Sequence, residues 1–294
     1  ADNNAVIEST AAAAALAISA GVVAVSLAGA GAYAENDIGF SSTATTVNST
    51  IEGASSDAGA ADVNVIATSD TEIEALIISA AAAISVGAVG VAIGVGVALA
   101  ENTIGNGAGD GVFASIEGSS ILASNDVNVK AQIEEATIKA EVVAVAAAIA
   151  AGAVGFAAAG TGSDADNTLN YVSIAHVSSS TLDVDGDVTV RAYDNSVLDS
   201  FVAAASISAS FGAFGGAVSI AVSLAENTVS NTINAYIYNS SIEATDVAIL
   251  ADDTSTLDSL SLAASLAASL SIGFTISGSG AETQTTHINS VSAY

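Results

Sequence analysis

Between residues 89 and 99 the side chains alternate by size. Odd positions carry Val89, Val91, Ile93, Val95, Val97 and Leu99, and even positions carry Gly90, Ala92, Gly94, Gly96 and Ala98. The pattern recurs as Val218, Ile220, Val222 and Leu224 against Ala217, Ser219, Ala221 and Ser223. It recurs again as Val23, Val25 and Leu27 against Ala24, Ser26 and Ala28. A period of two is the strand period, because successive side chains leave a strand on opposite faces. A helix would mix the two sizes, and Gly94 and Gly96 would each cost it about 1 kcal/mol. Both faces are apolar, so the pattern predicts strands buried on both sides, with the large face filling a core. The small face predicts close approach of another layer, either inside the unit or between neighbouring chains.

Segments 115–131 and 235–251 alternate apolar with polar residues, so one of their faces is expected to meet water. Ser-Ser, Ser-Asn-Asp and Asp-Gly steps mark the turns between them. No Pro interrupts a ladder, and no 10–15-residue helical pattern of a βαβ unit occurs.

Three landmarks share one period. Glycine steps fall at Gly21, Gly87, Gly152, Gly212 and Gly273, reading GAVG, GAVG and GAFG in the middle three. Acidic-Asn steps place Asn36, Asn102, Asn167 and Asn227 at spacings of 66, 65 and 60. Asp-Val pairs begin at Asp62, Asp126, Asp187 and Asp246. The chain is therefore a tandem array with a period of about 60–66 residues. Partial unit 1–34 is followed by units at about 35–99, 100–163, 164–224 and 225–280, and by partial unit 281–294. The architecture this predicts is an all-β repeat solenoid of the parallel β-helix kind, with two or three coils per unit; stacked hairpins are the structural rival. Neither end carries a polar cap, which predicts neighbouring protein over both ends, from more of the same chain or the next copy in a filament. Without Met at position 1, the chain is expected to be processed or part of something longer.

Composition narrows the function classes. Against 31 acids stand three bases, Lys130, Lys139 and Arg191, a formal charge of −28. Three bases cannot make the basic footprint that nucleic-acid binding requires. The absence of Cys excludes disulfides, thiolate catalysis and Cys zinc sites. Richness in Val and Ile argues against disorder. Residues 79–100 form an uncharged 22-residue stretch, long enough for a transmembrane helix. Its strand period, acidic flanks and lack of a Trp or Tyr belt argue against a membrane span. A transmembrane β-barrel is a weaker alternative still.

Candidate chemistry is sparse. His176 and His287 lie at unrelated repeat phases and read as surface or turn residues. The Gly-rich run Gly105–Gly111 lacks the Lys-Ser/Thr of a phosphate loop and reads as a small insertion. Glu35, Glu101 and Glu226 recur at one phase, which the repeat itself explains. Carboxylates two residues apart at turns, Asp164 and Asp166 in one run and Asp183, Asp185 and Asp187 in another, suit Ca²⁺ as hard oxygen ligands. Their plainer reading is solvated Asp turns. No cofactor is required by any motif, and no acid, base and nucleophile converge, so the expectation is a non-enzyme. Stacked strands also set like charges in rows that repel, and divalent cations would relieve that repulsion.

The segments AENTIGN (100–106), GDVTVRAYD (186–194) and AENTVSNTINAYIYNSSIEATDVAIL (225–250), each set among Ala/Gly runs, resemble the tandem β-strand repeats of giant bacterial surface exoproteins of the leukotoxin-like filamentous adhesin type. The resemblance implies a secreted product at the bacterial cell surface, a solenoid shaft, and roles in adhesion or extracellular matrix. The expected partners are the chain itself, as a head-to-tail and lateral homopolymer, and other cells or surfaces. Two alternatives stand beside this structural reading: a calcium-binding passenger shaft of a larger secreted adhesin or toxin, and a membrane-embedded Ala/Gly-rich helical assembly.

Overall fold

The structure, a computed structural model, describes residues 1–53, 60–105 and 109–294. Among these there are strands and turns and no helix. Each repeat makes one long strand and two short ones, except the last, whose long strand is broken in two and which has a single short strand. The first supplies β1 (Asp2–Ile38), β2 (Ser41–Val47) and β3 (Thr50–Ile51), and the second β4 (Val63–Ile104), β5 (Gly111–Glu117) and β6 (Ser120–Ala123). In the third the long strand is interrupted, giving β7 (Val127–Ala151) and β8 (Val154–Leu169) before β9 (Val172–Ser178) and β10 (Thr181–Val184). The fourth supplies β11 (Asp187–Val229), β12 (Thr232–Tyr238) and β13 (Ser241–Glu243). The last supplies β14 (Asp246–Asp253), β15 (Thr256–His287) and β16 (Ser290–Ala293).

Like strands stack in parallel into three sheets. The long strands form one; β2, β5, β9, β12 and β16 form another; β3, β6, β10 and β13 form the third. Gly21 lies beside Gly87, Asn36 beside Asn102, and Val127 between Val63 and Val188. Neighbouring strands are thus one repeat apart in sequence. One repeat is one coil, where two or three were expected, because the long strand consumes most of the unit.

The three sheets enclose an apolar prism of Val, Ile, Leu and Ala, with Phe40 set edge-on against Tyr171 at 5.6 Å between ring centroids. Its corners are built from repeated residues. Asn48, Ser179 and Asn239 take left-handed φ values of 47°, 51° and 47°, and Gly118 takes 57° at the same turn. That conformation favours Asn and Gly and burdens Ser179. Just beyond it, the Ser49 N–H donates to Ser119 Oγ, Ser119 N–H to Ser180 Oγ and Ser180 N–H to Ser240 Oγ, each at 3.1 Å.

The long strands outrun the prism. In each coil the strand leaves it, reverses near the glycine step and returns, giving a flat blade two layers thick. Contacts across the layers record the reversal: Ser206 Oγ lies 2.7 Å from Ser219 Oγ, Ser223 Oγ donates to the Val202 carbonyl at 2.9 Å, and Ser79 Oγ to the Ala30 carbonyl at 2.9 Å. The small face lies between the layers, as the alternation predicted: Ala92, Ala98, Ala146 and Ala148 are fully buried. Glycine is needed at Gly94, where an added Cβ would sit 2.5 Å from the Ala147 carbonyl oxygen of the facing layer.

The large face does not fill a core. Val95, Leu99, Ile207, Phe214 and Ile220 point away from the blade and are 45, 37, 50, 58 and 50% exposed. The blade has one interior, which both layers fill with their small residues. The large residues are left outside on each surface. The total accessible surface, 12492 Å², accordingly exceeds the roughly 11,200 Å² of a compact monomer of this mass. The last glycine landmark also shifts: Gly273 pairs with Gly215 rather than Gly212, after an irregularity between Phe211 and Phe214.

Candidate functional site on the blade

The blade's base is marked on both surfaces by charge. On the outgoing layer Glu8, Glu74, Lys139, Asp199 and Asp258 stack in register, and on the returning layer Glu35, Glu101, Asp166 and Glu226 do so, followed by Gln284. In the first four coils the two rows lie 13 and 14 residues from the glycine step, about 43 Å at the strand rise. Between the rows the first, second and fourth coils carry no charge; Glu141, Asp164 and Glu282 are the exceptions, all beside the rows. Lys139 sits among its acidic neighbours, 2.6 Å from Glu72 Oε1 and 3.2 Å from Glu74 Oε1. Burial, reinforced by the Glu226 carboxylate, raises the pKa of both Asp164 and Asp166 above the ordinary carboxylate value.

Beneath the returning acid row runs a buried amide ladder. Asn36 Nδ2 donates to Asn102 Oδ1 at 2.7 Å, Asn102 to Asn167 at 2.7 Å, and Asn167 to Asn227 at 2.8 Å; Asn227 closes the row on Ser200 Oγ at 3.0 Å. These asparagines are the second landmark of the repeat. Each amide satisfies the next coil and holds the register where the blade joins the prism. The Asp-Val landmark serves the opposite corner: Asp187 N–H donates to Asp126 Oδ1 at 3.0 Å, and Asp126 N–H to Asp62 Oδ1 at 3.3 Å.

Among the described residues the one deeply buried carboxylate is Asp194. It accepts from Tyr171 OH at 2.9 Å, Ser196 Oγ at 2.8 Å and Asn231 Nδ2 at 2.7 Å. Burial raises its pKa against the pull of these three donors, and it raises that of Tyr171 further. The next coil repeats the arrangement nearer solvent, with Asn289 Nδ2 donating to Asp253 Oδ2 at 2.8 Å. There burial pushes upward as well, but donation from Ser255 and Asn289 and the nearby His287 hold the carboxyl below its ordinary value. The pair of clusters closes the corner between the long sheet and the second sheet. Alternation alone did not reveal it, although the recurring Asp-x-Ser with Asn 36 or 37 residues on is a sequence signal.

His176 stacks on Tyr236 at 4.8 Å, and Tyr236 on Tyr294 at 5.4 Å, an aromatic column on the second sheet. Burial lowers the His176 pKa although its Nε2 lies 3.3 Å from Glu117 Oε1. His287 lies at the end of β15, 3.4 Å from Asp253. The carboxylates that suit Ca²⁺ fall at two places, the blade and the turn from β10 into β11. Asp164 and Asp166 lie on the returning layer of the blade, Asp183 on β10 and Asp185 in the turn after it, and Asp187 at the start of β11. Among the described residues no three carboxylate or imidazole groups converge as metal ligands. Of the Gly-rich run, residues 106–108 lie outside the described residues; Gly105 and Gly111 take left-handed φ values of 78° and 146° against Asn170 and Val172 of the next coil.

What the blade offers chemically is apolar surface. Val, Ile, Leu and Phe cover both its outer sides, interleaved with Ala on the outgoing layer and with Gly on the returning one, and carboxylates bound them at the base. No helix of the described residues is long and apolar enough to cross a membrane, and the helical alternative has no element to rest on. No protein family, curated protein or solved structure matches the chain.

Proposed function

We propose that this chain is a structural and adhesive module of the bacterial cell surface, whose solenoid coils form or belong to a self-assembling extracellular filament or matrix. The observation that carries the reading is the exposed apolar blade, to which every coil contributes. Solitary soluble proteins rarely expose contiguous apolar surface beyond a few hundred Å². The mechanism is mechanical. Continuous parallel ladders stiffen the axis, buried Asn and Ser rows lock each coil to the next, and the blade supplies the adhesive surface. The net charge of −28 keeps such a surface dispersed until it assembles. The absence of Cys, Met and Trp removes the side chains most readily oxidised outside a cell.

Electron microscopy of the purified chain, with and without a calcium chelator, tests this. The reading expects uniform filaments or ordered bundles with a reflection near 4.8 Å along the axis. Dissolution by chelator would make Ca²⁺ part of assembly. Dispersed single rods under all conditions would contradict the reading.

A further inference from the structure

The returning layer of the blade has a relief that its own fold does not require. In register across five coils, one row reads Gly29, Val95, Gly160, Ile220, Gly278, and the next reads Gly31, Val97, Gly162, Val222, Gly280. Glycine occupies every odd coil and a β-branched residue every even coil. Over these two rows the face is therefore corrugated, with ridges roughly 9.6 Å apart, two strand spacings.

None of the six glycines has an internal reason to be one. A Cβ added to Gly29, Gly31, Gly160, Gly162, Gly278 or Gly280 meets nothing within 4 Å, and none of them has a left-handed φ. The inward-facing Gly94 and Gly96 of the same sheet would instead strike carbonyl oxygens at 2.5 and 2.8 Å. Glycine in a strand interior is unfavourable unless another surface approaches closely. Independently of the glycines, the ridges are exposed: Val95, Ile220 and Val222 by 45, 50 and 41%. Toward the tip the face continues through Val25, Leu27, Phe214, Ile272 and Ile276, all more than half exposed.

From these features we infer that the returning face of the blade docks onto the same face of a second copy of this chain, the ridges of each entering the glycine grooves of the other. Self-recognition follows from the relief. Ridge and groove share one spacing because the same coil stack sets both, so a copy displaced by one coil is complementary. Five uncharged rows on the four coils that displaced copies share span roughly 30 by 19 Å, about 570 Å² on each partner. That lies near the lower edge of the roughly 1,200–2,000 Å² in total that specific interfaces bury. The acid row Glu35, Glu101, Asp166 and Glu226 lies at its margin, where like charges are solvated rather than trapped. Lipid would gain nothing from the grooves, and open strand edges are excluded from hydrocarbon. The inference rests on the assembly reading above and names the surface and partner that it uses.

The test fills the grooves. A variant with all six glycines replaced by Val is more apolar than the parent, and its added Cβ atoms meet nothing within 4 Å. Circular dichroism and melting should show its fold retained. Sedimentation velocity should show self-association weakened roughly tenfold or more, and micrographs should show single rods where the parent shows paired ones. A second variant, Val95→Lys with Ile220→Lys, should lose pairing as well. Unchanged or tighter association of the groove-filled chain would overturn the inference, since general stickiness predicts that outcome. So would flotation of a monomeric parent with phosphatidylcholine vesicles. Bundles whose width ignores groove filling would overturn this inference and leave the assembly reading standing, whereas a parent that never associates would overturn both.

Discussion

Gly94→Ala and Gly160→Ala make the same change on opposite faces of one sheet, and the structure gives the two opposite signs. At Gly94 the new methyl carbon would lie 2.5 Å from the Ala147 carbonyl oxygen and 3.3 Å from its carbon. Both atoms are backbone, so the two layers of the blade must part. Overpacking of this kind costs about 1–3 kcal/mol, of which relief of glycine's chain entropy returns roughly 0.5–1 kcal/mol. At Gly160 nothing lies within 4 Å. Only the entropy gain remains there, a stabilisation of about 0.4–1 kcal/mol. The variants should therefore differ by roughly 2 kcal/mol, with the parent between them. Urea midpoints supply the comparison, supplemented by hydrogen exchange of the blade amides because stacked coils need not unfold in one step. A destabilised Gly160→Ala, or a Gly94→Ala as stable as the parent, would refute the assignment of inner and outer faces.

Three further changes probe the corners. Asn102→Leu strands the Asn36 donor and the Asn167 acceptor, both buried; a loss of about 2–4 kcal/mol is expected by chemical denaturation. Ser179→Gly, at φ 51°, should raise the melting midpoint by removing roughly 1 kcal/mol of left-handed strain. Asp194 has a folded pKa above its ordinary 3.8, so its stabilising contribution is full below that value and is lost as pH rises through the folded pKa. Asp70, Asp164 and Asp166 act in the same direction and Asp253 in the opposite one. His176, whose folded pKa is lowered by burial, also opposes them and costs stability as pH falls through its ordinary 6.5. Stability should therefore dip as His176 titrates and rise as pH falls further toward the carboxylate range, and Asp194→Asn should flatten that rise in thermal melts at several pH values.

The strands and their parallel stacking were legible because size alternation and the repeat landmarks are local signals. Which face would be interior was not, since alternation defines two faces without ranking them. The signal that ranks them is a change of parity. In the fourth unit the small residues sit at even positions before Gly212 (Ser206, Ser208, Ser210) and at odd positions after it (Ala217, Ser219, Ala221). That change of parity is what a reversal between two facing layers requires. Once the layers face each other, their small residues must meet and the Val and Ile rows must lie outside. One coil per unit follows from the same reversal, because a blade spends residues that a simple prism would have used for a further coil. The groove glycines emerge only when units are compared row by row, as Gly29 against Val95 and Gly160. The Asp194 cluster depends on residues from different turns of a coil, which no single segment displays.

The chain has no cysteine, so a pair of introduced thiols reports the blade's geometry directly. Ser206 Oγ and Ser219 Oγ face each other at 2.7 Å across the two layers and are buried, whereas Ile207 and Ile220 point outward on opposite surfaces and are each half exposed. Under mild oxidation of dilute protein, Ser206→Cys with Ser219→Cys should form an internal disulfide nearly completely, and Ile207→Cys with Ile220→Cys should form none within one chain. The reverse result, with the outward pair linked and the inward pair free, would contradict a blade that buries its small residues and presents its large ones.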